Sequence, residues 1–125
     1  MKSNRPIDLP LSQVIRVNSS PTAIASILHR ISGIILFLLI PVMLWLLQNS
    51  LASPESFATV FDNVLVRFVA WIFVASIAYH FVMGIKHLFA DMGMTEELKS
   101  GRAASMASMV IAAILVIASF VWVMF

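Results

Sequence analysis

The segment Tyr79-His80-Phe81-Val82-Met83-Gly84-Ile85-Lys86-His87-Leu88-Phe89-Ala90-Asp91 carries two histidines seven residues apart with a glycine between them. At about 3.6 residues per turn, positions 80, 84 and 87 share one stripe of a helix. A stripe with imidazoles at both ends and no side chain in the middle suits a large flat ligand. His80 offers a neutral imidazole able to ligate a haem iron, and Gly84 lets a macrocycle approach the backbone. The alternative for His80 is a histidine hydrogen-bonded across a helix interface, and residue type and position leave both open. A bis-histidine site needs a second imidazole from a facing helix. His29 is available but adjoins Arg30 close to a membrane surface, so a ligand from a partner chain is the better expectation.

A second group lies in Ser26-Ile27-Leu28-His29-Arg30-Ile31-Ser32-Gly33. Ser26 and Arg30 are four apart and share a helix face. A hydroxyl beside a guanidinium suits a small dipolar ligand that gains negative charge, such as a quinone carbonyl on reduction. The plainer alternatives are a serine bonded to the carbonyl one turn back and an arginine snorkelling to the surface. His29, Arg30, Lys86 and His87 read either as a cationic collar around haem propionates or as interfacial residues holding lipid phosphates. Asp91 is a candidate for proton supply to a quinone pocket or for an ion pair with Lys86, His87 or Arg102.

These residues must be positioned by membrane-spanning helices. The chain has 125 residues, 61% hydrophobic and 11% charged, with a mean hydropathy of +0.99. Soluble domains are nearer 45–50% apolar and about 25% charged. At roughly 20 residues per span the length allows about three spans with short connections, leaving too little for a soluble catalytic domain. The absence of cysteine excludes disulfides, thiolate clusters and zinc–thiolate sites of its own. The net charge of +2 gives no reason to expect nucleic acid as a partner.

The expected organisation is all-α: one membrane-anchor domain over 1–125, with a cytoplasmic arm over 1–20 and transmembrane helices over about 21–47, 64–90 and 103–125. The arm is polar, broken by Pro6 and Pro10, and lacks the features of a signal peptide. Leu11, Val14, Ile15 and Val17 form either a short interfacial turn or part of a flexible tail. Ser20-Pro21 reads as a helix start, and Pro41 is expected to kink the first span. Residues 48–63 and 91–102 read as polar loops. In the third span Ser105, Ser108, Ala112 and Ser119 form a small-residue face suited to close packing in lipid.

Seven of the eight basic residues, Lys2, Arg5, Arg16, Arg30, Lys86, Lys99 and Arg102, belong to one side, with Arg67 alone near the first loop. The positive-inside rule then puts the N-terminus in the cytoplasm and the C-terminus outside, with Trp45 and Trp122 near the outer interface. Because the first span begins where the second ends, all three histidines fall in one leaflet. His80 lies about 16 Å from Asp91 along the helix, within the hydrocarbon, where ionisable residues are costly and are functional candidates by default.

Arg5-Pro6, the Ser26 to Gly33 segment and His80-x-x-x-Gly84-Ile85-Lys86-His87-x-x-x-Asp91 together resemble the cytochrome b membrane-anchor subunit of succinate dehydrogenase, the larger of two anchors in the proteobacterial and mitochondrial type. The resemblance covers nearly the whole chain, and the two signature segments occur in order. It implies that His80 is an axial ligand to haem b, shared with a histidine of the smaller anchor subunit. It places His29, Arg30 and His87 around the propionates, and Ser26 and Arg30 in a ubiquinone site beside the iron–sulfur subunit. Lys86 stands where the family usually has arginine, which keeps the charge but loses bidentate geometry. The implied partners are a flavoprotein subunit, an iron–sulfur subunit, the smaller anchor and membrane lipid. The implied role is to help pass electrons from succinate to quinone, linking the tricarboxylic acid cycle to the respiratory chain, with no dehydrogenase activity in this chain alone. The short arm without a transit peptide points to a bacterial inner membrane. The alternatives are an anchor of a fumarate reductase or menaquinone-linked enzyme, and a non-catalytic small membrane subunit.

Overall fold

The structure is a computed structural model and describes residues 8–125; Lys2, Arg5 and Pro6 of the expected arm lie outside the described residues. Among the described residues five helices follow in order: α1 (Leu11–Val17), α2 (Pro21–Ser50), α3 (Ser56–Asp62), α4 (Val64–Asp91) and α5 (Leu98–Met124). Three of them, α2, α4 and α5, are long and apolar enough to cross a membrane.

The starts of α2 and α4 follow from side-chain capping. Ser20 accepts a 3.2 Å hydrogen bond from the Ala23 amide, and Pro21 occupies the first turn, where its missing N–H has no intrahelical partner to lose. Asn63 caps α4 through a 2.8 Å bond from the Leu65 amide. The 30 residues of α2 continue through Pro41, so the expected kink does not break the helix. α4 ends in a Schellman turn: Met94 N–H donates to the Phe89 carbonyl and Gly93 N–H to the Ala90 carbonyl, with Gly93 at φ +79°.

Two segments differ from the sequence expectation. The first loop contains a helix, α3, whose Phe57 and Phe61 rings lie 4.8 Å apart, one turn from each other. The second loop is shorter than 91–102, because α5 starts at Leu98 and carries Lys99 and Arg102 on its first turns. Hydropathy marks where a helix crosses hydrocarbon about 30 Å thick. A 27-residue helix is about 40 Å long at 1.5 Å per residue and extends its polar first turn past that layer.

The interior is thin and built from small side chains. Ala25, Ser32, Ala70, Ser76, Ser105 and Ala112 are buried where the long helices meet, with Met83 of α4 fully enclosed among them. α4 packs most extensively against α5 and next against α2. The expected small-residue face of α5 is the face used: Ser105, Ala112 and Ser119 are buried and Ser108 half-buried. At the far end Arg67 Nη1 donates to the Met124 carbonyl at 3.0 Å, and Trp71 Nε1 donates to the Val116 carbonyl at 3.3 Å. These contacts make α4 and α5 antiparallel partners. Most large apolar side chains, among them Phe37, Phe81 and Ile117, face outward, as the lipid-facing surface of a multi-pass membrane protein requires.

Candidate functional site: a histidine cluster between two spans

Antiparallel packing of α2 and α4 brings the start of one span beside the end of the other, and all three histidines meet there. The His29 and His80 rings stack with centroids 4.0 Å apart and planes 12° from parallel. His87, two turns further along α4, lies 5.1 Å from His29 with a tilted ring. Tyr79 pins the two helices together beside the cluster by donating its hydroxyl to the Ala25 carbonyl at 3.2 Å.

The hydrogen-bond partners of His80 favour one tautomer. Nδ1 faces two oxygens, the Ser32 hydroxyl at 3.0 Å and the His29 carbonyl at 3.1 Å. The Ser32 hydroxyl donates its one proton to the same carbonyl at 2.7 Å. A lone pair on Nδ1 would oppose the lone pairs of a carbonyl that has no proton to give. A proton on Nδ1 satisfies both oxygens, so Nε2 holds the free lone pair. Metal-ligating histidines are commonly prepared in this way, with one ring nitrogen donating to a carbonyl and the other left to bind.

Two glycines shape the space around these rings. A Cβ at Gly33 would stand 3.1 Å from His80 Cε1, a tight contact that would require the imidazole to shift by a few tenths of an ångström, so glycine gives α2 its close approach to this ring. A Cβ at Gly84 would stand 3.8 Å from His29 Nε2, an ordinary contact; packing within this chain does not demand that glycine. His29 Nε2 is buried and has no hydrogen-bond partner among the described residues. Buried polar atoms are normally paired, so this ring nitrogen is an exception within the chain.

Ser26 is half-buried and Arg30 exposed, one turn apart on α2 and on either side of His29 in sequence. They flank the cluster and do not hydrogen-bond to it. Asp91 is exposed at the end of α4. Lys86 is buried but lines a groove against α5, on a different side of α4 from the His80 contacts with α2. Ser32 and Gly33 were visible in the sequence only as parts of a polar insert. Their roles depend on a contact 48 residues away. The available signal was their place beside His29 in a span that antiparallel packing sets against His80.

Among the described residues no group of three His, Asp or Glu side chains is arranged to hold a metal ion. The cluster instead presents one prepared imidazole lone pair, a glycine gap and an orphaned ring nitrogen. That set suits a cofactor completed by another subunit better than an ion held by this chain alone.

Residues 1–119 match the family described as the succinate dehydrogenase/fumarate reductase transmembrane subunit. The chain is 35% identical to a succinate dehydrogenase cytochrome b556 subunit of Coxiella burnetii, over 98% of this chain and 99% of that one. It is 33% identical to the protein of the same name from Paracoccus denitrificans, over 97% and 96% of the two chains. A Rickettsia prowazekii protein, also of that name, is 31% identical over 60% of each. With three membrane-crossing helices and matches along almost its full length, this chain belongs to the family of succinate dehydrogenase/fumarate reductase transmembrane subunits.

Proposed function

We propose that this membrane-anchor subunit supplies one axial ligand, His80, to a haem b shared with a smaller anchor subunit, and one wall of a ubiquinone site through Ser26 and Arg30. The observation that carries the reading is the His80 hydrogen-bond pattern, in which Nδ1 faces the Ser32 hydroxyl and the His29 carbonyl; donation from Nδ1 leaves Nε2 free to ligate. The orphaned His29 Nε2 is a donor for a propionate once its ring is protonated there. His87, whose ring lies 5.1 Å from His29, and Arg30, next to His29 in sequence, would complete a polar, cationic margin. Gly84 leaves room for the face of the macrocycle, and that room matters because packing within the chain would tolerate a methyl group there.

When bound, the haem supplies a one-electron centre within the membrane. The chain's own residues then have distinct tasks. Ser32 and the His29 carbonyl hold the His80 ring in one orientation. Ser26 offers a hydroxyl, and Arg30 a charge, to a quinone oxygen that gains electron density on reduction. Asp91, exposed at the end of α4, would pass protons from the surface toward that oxygen.

In this reading the chain is a single anchoring unit, not catalytic by itself, and works in a bacterial inner membrane with its N-terminus in the cytoplasm. A flavoprotein and an iron–sulfur subunit supply the succinate chemistry and deliver electrons at the membrane surface. The test is purification of the solubilised complex, with its spectrum, subunit composition and extracted quinone measured together. The expected result is a b-type spectrum, the flavoprotein and iron–sulfur partners, and ubiquinone; a preparation containing menaquinone overturns the ubiquinone assignment. Arg30→Ala is expected to lower quinone reduction about tenfold or more, the equivalent of one charge-assisted hydrogen bond. Succinate oxidation by an artificial dye should be unchanged, and equal loss of both activities contradicts a quinone role for Arg30.

A further inference from the structure

Lys86 is the one lysine buried in the described fold, 7% exposed on the face of α4 that meets α5. It lines a groove of about 340 Å³ whose other walls include Val82, Ile85, Phe89 and Ile111, with Thr95 at the polar end. Thr95 Oγ1 is itself buried and has no hydrogen-bond partner among the described residues. All six carboxylate side chains, Asp8, Glu55, Asp62, Asp91, Glu96 and Glu97, belong to the described residues, and none forms an ion pair with Lys86. The nearest in sequence, Asp91, is exposed, while Glu96 lies over Gly93.

The Lys86 stem is buried and carries its ammonium to the edge of the groove, where no carboxylate of this chain is paired with it. An ammonium beside a low-dielectric groove favours an anion supplied from outside this chain. The groove's position and walls indicate what kind. Lys86 is five residues before the end of α4, about 7.5 Å at 1.5 Å per residue, which sets it just beneath the headgroup layer. α5 begins at the same end and carries Lys99 and Arg102 on its first turns, adding positive charge on the aqueous side. Below the ammonium the walls are hydrocarbon. A ligand that fits has an anionic head and an alkyl tail.

We propose that the α4–α5 groove binds an anionic phospholipid, its phosphate paired with Lys86 and accepting from the Thr95 hydroxyl, with one acyl chain along Val82, Ile85 and Ile111. The groove opens toward α5, whereas the histidine rings meet on the α2 side of α4, although Lys86 itself lies near His87 and His29; the proposal does not depend on whether His80 ligates haem. A basic pocket between transmembrane helices is a general form of lipid-headgroup site; the buried lysine makes this one specific to charge.

The test uses the whole complex, washed in detergent and analysed by native mass spectrometry for retained lipid after exposure to mixed phosphatidylglycerol and phosphatidylcholine. The wild type is expected to retain phosphatidylglycerol over phosphatidylcholine. Lys86→Met should reduce that retention about tenfold, as expected for loss of a charge-assisted contact, while Lys86→Arg preserves it. Inorganic phosphate at millimolar concentration should not displace the lipid; displacement would show a site for free phosphate and overturn the proposal. Equal retention by Lys86→Met, or cross-linking of Lys86 to a carboxylate of a neighbouring subunit, also overturns it. Should Lys86→Met fail to assemble, Thr95→Val is read instead: reduced retention supports the site, and unchanged retention contradicts it.

Discussion

At the scale of single residues, the site depends on where one proton sits. His80 Nδ1 is held between the Ser32 hydroxyl and the His29 carbonyl, and that arrangement decides which ring nitrogen is free. Ser32→Ala removes one of the two oxygens and leaves the longer contact with the carbonyl. The imidazole then donates less firmly and becomes a weaker electron donor through Nε2. The expected outcome is a haem that remains bound with a raised midpoint potential, read by optical redox titration, and a stability loss of about 1 kcal/mol. Ser32→Thr keeps the hydroxyl and should return the potential toward the wild-type value. Much of this site was legible: His29, His80 and His87 were expected in one layer, and the structure brings their rings together. Ser32 was not assigned a role because a serine inside a span usually bonds to its own helix, and it does so here as well, at 2.7 Å to His29. Only the packing of α4 against α2 gives the same oxygen a second partner. Lys86 was grouped with the histidines by sequence proximity; the structure keeps it near His29 and His87 and also has it lining the groove toward α5.

At the scale of elements, local chemistry set the helix ends and hydropathy set the spans, and the two do not coincide. Ser20 and Asn63 cap α2 and α4 with short-range bonds, so the starts at 21 and 64 could be read from sequence. The start of α5 could not, because Lys99, Ser100, Gly101 and Arg102 have the composition of a loop. They are helical because a span continues past the hydrocarbon layer into the headgroups. α3 was missed for a related reason: seven residues within a polar connection carry no periodic signal long enough to register. Gly93 is the position where backbone conformation matters most, since φ +79° is open to glycine and strained for other residues. Gly93→Ala should cost about 1 kcal/mol or more, seen as a lowered thermal midpoint of the assembled complex. An unchanged midpoint would mean that the turn between α4 and α5 relaxes without loss.

At the scale of the whole molecule, a small interior and a wide apolar exterior describe a subunit designed for lipid and partner contact. Ala112 is fully buried on the small-residue face that lets α5 approach α4. Ala112→Leu inserts a side chain where backbones are close, and overpacking of this kind costs about 1–3 kcal/mol. The expected result is lower yield and thermal stability of the complex, with the spectrum of the surviving fraction unchanged, because the α2–α4 cluster lies on another face. A changed haem spectrum would show that α5 helps to position the histidines. The orientation inferred from the basic residues also belongs to this scale, since it placed Ser26, Arg30 and the histidines at one end before any packing was known. The central claim is that His80 ligates haem through Nε2, and the most direct measurement is the near-infrared magnetic circular dichroism of the oxidised complex. The wild type should show the charge-transfer band of two imidazole ligands, and His80→Leu should abolish it; an unchanged band in that variant would contradict the assignment.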